Sequence, residues 1–245
     1  LGYLVGVLFG DGSAVLMKKR GYIELRTVNK SFADAFSNAI LKTIGIAPRR
    51  YVRYCTKTFK KENRTYYNVR FYEVFLYRKY FAKNIINTFG STRTKEWEID
   101  VRRCISYGKP FCIGLIRGLI DSEGSFYTTH RTNIKLKGTL SFSTTNKRGA
   151  ETLLSLLKTF GLELNFYTSH RKNGITEYRI RSSNINIIRK FYENVGFNID
   201  YKQARVAAFL EARGIDNSPG RSDTDMESPP IHNYCTLDRW IPTLV

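Results

Sequence analysis

Two acids, Asp11 and Glu123, hold the same place in a stretch that the chain contains twice. The first copy is GYLVGVLFGDGS (2–13) and the second is GLIRGLIDSEGS (114–125). Each acid follows apolar residues at helical spacing: Leu4, Val7 and Leu8 in one copy, Ile116, Leu119 and Ile120 in the other. Each carboxylate therefore falls at the C-terminal end of a helix, where the helix dipole is negative and disfavours it. Two such ends side by side add like-charge repulsion. A divalent cation between them reverses that balance. Oxygen ligands few enough to leave room for water suit Mg²⁺, with Mn²⁺ as a substitute.

Something must bring the two ends together. Gly2, Gly6 and Gly10 form a stripe of small residues at every fourth position, and Gly114, Gly118 and Ser122 form its counterpart. Glycine inside a helix costs about 1 kcal/mol relative to alanine, so a stripe of it needs a compensating gain. Close lengthwise packing of one motif helix on the other supplies that gain. Gly12 and Gly124 are expected to close the two helices.

The nonamers LVGVLFGDG (4–12) and IRGLIDSEG (116–124) resemble the signature of the LAGLIDADG family of homing endonucleases, in its single-chain, two-motif form. The resemblance puts the family's metal-binding acid on Asp11 and Glu123; the sixth motif position is Phe9 in one copy and Asp121 in the other. It implies an α+β fold of two pseudo-symmetric αββαββα repeats. Paired motif helices would lie at the interface, and curved antiparallel sheets would form a DNA-binding saddle. It implies a site-specific double-strand endonuclease that acts on a long, pseudo-asymmetric duplex and cuts across the minor groove to leave short 3′ overhangs. It also implies polar and basic side chains around the metal: Asn29 and Lys30 in TVNK, Asn146 and Lys147 in TTNK. Helix N-capping is the alternative role for Asn29 and Asn146. A lysine that some relatives carry just after the second motif is missing, since Ser125 and Phe126 stand there. Asp121 reads as structural, bonding near its helix end. Two other functions remain open within the family: an RNA maturase that assists splicing of its host intron, and a DNA-binding protein that does not cleave.

The positioning elements follow from periodicity. Strands are expected at 22–28, 49–57 and 65–72 and, in the second half, within 134–145 and at 163–170 and 176–182. Helices are expected at 30–45, about 75–88, 149–160, 184–195 and 201–213. ILKTIGI (40–46) and LLKTFGL (156–162) echo one another, as a duplication would require. The expected domains are a first repeat over 1–90, a linker over 91–110, a second repeat over 111–213 and a disordered tail over 214–245.

Charge narrows the partner. Lys and Arg number 40 against 21 Asp and Glu, a net charge of +19. The tail, rich in Asp, Ser and Pro, runs against that excess, so the basic charge belongs to the repeats. A folded body this basic calls for a polyanion, with nucleic acid first. The polar strand positions supply the cations: Arg26, Arg49, Arg53, Lys57 and Arg70, then Lys135, Lys137, Arg179 and Arg181, with tyrosines between them. A β-ribbon fits the major groove, where such side chains read base edges. No apolar run reaches the roughly 18 residues of a membrane span. The four cysteines show no metal-ligand spacing, and no secretory leader is visible, so an intracellular protein is expected, and the single-chain resemblance implies a monomer.

Overall fold

The computed structural model describes residues 1–59, 64–92, 97, 99–131, 134–171 and 174–214. The side chains of 56–67 and 130–135 lie outside that description, as does the tail from 215 onward, with the disorder expected for it.

The chain begins with α1 (Gly2–Phe9) and turns directly into β1 (Gly12–Leu16). Next come β2 (Gly21–Thr27), α2 (Lys30–Ile44), β3 (Arg49–Phe59), β4 (Arg64–Tyr77) and α3 (Lys79–Phe89). A short α4 (Val101–Ser106) leads to the second motif helix, α5 (Lys109–Glu123). The order then repeats: β5 (Gly124–Arg131), β6 (Ile134–Thr144), α6 (Lys147–Thr159), β7 (Asn165–His170), β8 (Thr176–Ser182), α7 (Ile185–Asn194) and α8 (Asp200–Ala212). Each half builds one antiparallel four-stranded sheet, in the order β1-β2-β4-β3 and β5-β6-β8-β7. Among the described residues no helix is long and apolar enough to cross a membrane.

Three sequence expectations change. Gly12 does not close the first motif helix: α1 stops at Phe9, Gly10 caps it, and Gly12 opens β1. The chain doubles back so tightly there that a Cβ on Gly12 would stand 3.0 Å from Val7 O and 3.1 Å from Glu24 O. The helix expected from about 75 starts at Lys79, because pairing with β2 carries β4 on to Tyr77. The strands β1 and β5 escaped the local reading, since each starts at the glycine that ends a motif. Elsewhere the punctuation is as expected: Gly45 ends α2 in the left-handed region, φ 73°.

The core is continuous across the halves. α1 is buried on nearly every side, with Leu4, Val5, Val7, Leu8 and Phe9 all inaccessible. It lies lengthwise on α5, whose Leu115, Ile116, Leu119 and Ile120 are equally buried. The glycine stripes set the separation. A Cβ on Gly6 would stand 2.9 Å from Leu119 N, and one on Gly118 would stand 2.8 Å from Val7 N.

The segment expected as a linker is part of this core. Trp97 and Ile99 are buried, and the Trp97 ring lies 5.2 Å from that of Phe9. Its backbone carbonyl accepts from Asn146 Nδ2 at 2.7 Å. A Cβ on Gly149 would run into the Trp97 ring at 2.6 Å. Thr92 binds the outer edge of β1: its Oγ1 accepts from Ala14 N at 2.9 Å and donates to Ala14 O at 3.3 Å.

Candidate active site and nucleic-acid interface

The parallel run of α1 and α5 delivers Asp11 and Glu123 to the same end of the helix pair. Glu123 is the last residue of α5; Asp11 lies in the turn after α1. Burial pushes the pKa of Glu123 up to about 7, and the charge of Asp11 adds to the rise. Burial raises the pKa of Asp11 as well. Neither carboxylate has a hydrogen-bond or ion-pair partner among the described residues. Two acids held close without donors are costly when ionised, and a cation removes that cost. Hard carboxylate oxygens, with no third His, Cys, Asp or Glu joining them among the described residues, fit a divalent ion that keeps water in its remaining positions.

Among the described residues the cation that this pair feels is Lys202, which the sequence reading missed. It projects from α8 and is buried. Its ammonium donates to Asp121 O at 2.6 Å and Gly124 O at 2.7 Å, the carbonyls on either side of Glu123. Burial lowers its pKa, while Asp121, Asp11 and Glu123 hold it up. In return Lys202 lowers the pKa of Asp11 and of Glu123. The sequence carried a signal. Lys202 stands one turn before Val206 and two turns before Phe209, on the apolar stripe of α8, where a lysine needs a reason.

Asp121 is structural, as expected. It is buried, accepts from Tyr3 Oη at 2.9 Å and receives the backbone N–H of Asn198 at 3.2 Å. Burial raises its pKa to about 6, against the pull of those donors and of Lys202.

The residues expected around the metal have these partners in the fold. Asn29 caps α2, accepting from Phe32 N at 2.9 Å, and Asn146 caps α6, accepting from Gly149 N at 3.0 Å. Lys30 pairs with Asp34 at 2.6 Å and Lys147 with Glu151 at 3.8 Å. Among the described residues nothing ties these four to the acid pair. The capping alternative holds for both asparagines, because an Asn just before a helix satisfies its open N–H groups.

Both sheets start from the acids, since β1 begins one residue after Asp11 and β5 one residue after Glu123. In the first sheet Ile23, Leu25, Val74 and Leu76 face the helices. Alternation then puts Tyr22, Glu24 and Arg26, Glu73, Phe75 and Tyr77, and Arg49, Tyr51 and Arg53 on the open face. Arg26 and Arg53 flank the buried Glu73 at 3.2 and 2.7 Å, with most of each arginine side chain exposed. Arg70 departs from expectation. It shares the phase of Tyr72 and Val74, lies over the Tyr72 ring at 5.2 Å, and belongs to the helix-side face. In the second sheet Lys137, Ser141, Ser143, Arg179 and Arg181 share the open face. Lys57 and Lys135 lie on β3 and β6, but their side chains are outside the described residues.

The pattern of the LAGLIDADG-like domain matches residues 1–85 and again 110–196, one match per repeat. The chain belongs to the LAGLIDADG family. Among curated proteins it is similar to MJ0398 of Methanocaldococcus jannaschii (29% identity, 86% of this chain and 72% of that one). It is also similar to MJ0314 of the same organism (27% identity, 68% of this chain), where the match spans just over half of that protein, 56%. Both relatives are uncharacterized proteins. Among solved structures it matches I-DmoI in complex with DNA and Ca (TM-score 0.55, 14% identity, 84% of this chain and 96% of that one). It also matches the homing endonuclease I-WcaI bound to its DNA recognition sequence (TM-score 0.55, 18% identity, 82% and 84%). At these identities the likeness is one of fold: two repeated halves, each with a four-stranded antiparallel sheet.

Proposed function

We propose that the protein is a site-specific double-strand DNA endonuclease that hydrolyses phosphodiesters with a divalent cation, Mg²⁺ or Mn²⁺, held by Asp11 and Glu123. One observation carries the reading: two carboxylates with no hydrogen-bond or ion-pair partner among the described residues, brought together by the motif helices, stand where two arginine-bearing sheets begin. A divalent cation bound there supplies a nucleophilic water and offsets charge on the reacting phosphate. The protein's own residues do the rest. The Gly6–Gly118 approach fixes how close the acids come. Lys202 locks the carbonyls around Glu123 and keeps both acids closer to ionised. The open sheet faces hold the duplex through phosphates and base edges.

Both acids lie in one chain, which supports action as a monomer, and the two sheets differ in side chains, which suits an asymmetric target. That I-DmoI and I-WcaI have been seen with DNA adds weight to duplex DNA as the substrate. The test is a cleavage selection on a randomised duplex library with Mg²⁺, run beside the Asp11→Asn protein. The expected result is a single long site cut by the native chain and bound uncut by the variant. Equal cutting by both would refute the site.

A further inference from the structure

The two open sheet faces differ in chemistry. On the first, four aromatic rings form one cluster across three strands. Phe75 is only 8% exposed although it lies on the open face, because the rings of Tyr22, Tyr51 and Tyr77 close around it at 6.1, 6.3 and 6.1 Å. Tyr51 and Tyr77 are 41% and 50% exposed and form the rim. Three arginines of this face each lie over one of these rings: Arg26 over Phe75 at 5.7 Å, Arg49 over Tyr77 at 5.8 Å, Arg53 over Tyr51 at 5.8 Å. Arg26 and Arg53 are also tied to Glu73. The guanidinium groups are thus held beside an apolar floor.

The second face also carries arginines, and Arg181 lies over the Tyr167 ring at 4.2 Å, but it has hydroxyls where the first has its ring cluster. Ser125, Thr139, Ser141 and Ser143 run down its first two strands. Tyr127 and Tyr167 stand there singly, on β5 and β7, with two strands between them.

In the major groove the one apolar group a base presents is the 5-methyl of thymine, and apolar side chains are its partners. We infer that the aromatic cluster of Tyr22, Tyr51, Phe75 and Tyr77 is a specificity surface for thymine methyls. The first repeat then takes a thymine-bearing half-site, and the second repeat takes a half-site read without methyl contacts. This rests on the endonuclease reading above and adds the base preference of one half.

Deoxyuridine pairs like thymidine but lacks the methyl, so it isolates the contact. Using the duplex from the cleavage selection, thymines are replaced by deoxyuridine in one half-site or the other. Equilibrium binding by the full chain is measured without divalent cation, so that no strand is cut. Uracil in one half should weaken binding about fourfold per methyl buried. Uracil in the other half should change it less than twofold, roughly the noise of one weak contact. Tyr51→Ala and Tyr77→Ala, both at exposed positions, should abolish the difference between thymine and uracil. Binding that is blind to uracil in both halves overturns the inference alone. So does a selected site with no thymine in the half that these variants affect, or full discrimination retained in both variants. Failure to bind any duplex overturns the endonuclease reading and this inference with it.

Discussion

Lys202 Nζ lies 2.7 Å from the carbonyl oxygen of Gly124, the residue that joins the second motif acid to its strand. A buried ammonium spanning Asp121 O and Gly124 O ties α8 to the end of α5 and leaves its positive charge under both acids. Lys202→Met keeps the stem and removes both. Two buried carbonyls then lack a donor, at a cost of about 1–3 kcal/mol each in stability. The acids lose the charge that favours their ionised forms. The rise of cleavage rate with pH should therefore move to higher pH, while duplex binding persists. A pH–rate profile of the variant beside the native chain checks this; an unmoved profile would separate Lys202 from the chemistry.

The acids themselves make the metal-free protein sensitive to pH. Asp121 and Glu123 hold their protons up to about 6 and about 7 in the fold, above the ordinary carboxylate range of the unfolded chain. Between roughly pH 4 and 7 the native state therefore binds more protons than the unfolded one, and stability falls as pH rises. Asp34, whose pKa Lys30 and Arg50 lower, and Glu177, whose pKa Arg171 and Arg179 lower, act in the opposite sense, but only at more acidic pH. The melting temperature without metal should be higher near pH 5 than near pH 8. Glu123→Gln should remove the upper part of that slope and Asp121→Asn the lower part.

Divalent cation should recover the loss at neutral pH. At a free concentration about a hundred times the dissociation constant it adds about 2.7 kcal/mol. The melting temperature of the native chain should rise on adding Mg²⁺ or Mn²⁺ at pH 7.5, and that of Asp11→Asn should not. Equal shifts in both proteins would place the ion elsewhere.

The helix contact tolerates no side chain. Gly118→Val forces branched carbons against Tyr3 O and Val7 N and should cost about 3 kcal/mol or more. Ser122→Ala, one turn along the same stripe, should stay within about 0.5 kcal/mol. Urea denaturation of both variants measures the contrast. Similar losses at the two positions would mean that the stripe does not set the helix separation.

Two arginines of the first sheet separate its faces. Arg53→Ala should weaken duplex binding and lower the slope of log affinity against log salt by about 1, as the loss of one phosphate contact does. Arg70→Ala should leave both unchanged, because Arg70 lies on the other face. Titrations at several salt concentrations decide between them.

The motif helices, the acid pair and the repeat order were legible because each rests on local spacing: small residues every fourth position, apolar residues at helical intervals, an acid at the end. Arg70 was misplaced although its phase was also readable, since it alternates with Val74; the basic character of the strand was noted and its parity was not. Asn29 and Asn146 carried two meanings, and the cap, a contact three residues along the chain, was readable from spacing. Lys202 is far along the chain from the acids, and only folding shows what it neutralises. The half-buried status of the supposed linker was hidden for the same reason: Trp97 has no period of its own, and its partners Phe9 and Gly149 lie on either side of it by many residues.

Thr92 has a further consequence through its two bonds to Ala14. β1 is an outermost strand, and such a strand invites a second chain to add to it. A hydroxyl seated on its free backbone groups blocks that addition at its centre. It also pins the strand lengthwise: a slip of one residue would turn every side chain to the opposite side, and the acid just ahead of Gly12 would turn with them. One threonine just beyond the first repeat thus covers the middle of an open strand edge and holds in place the strand that follows Asp11.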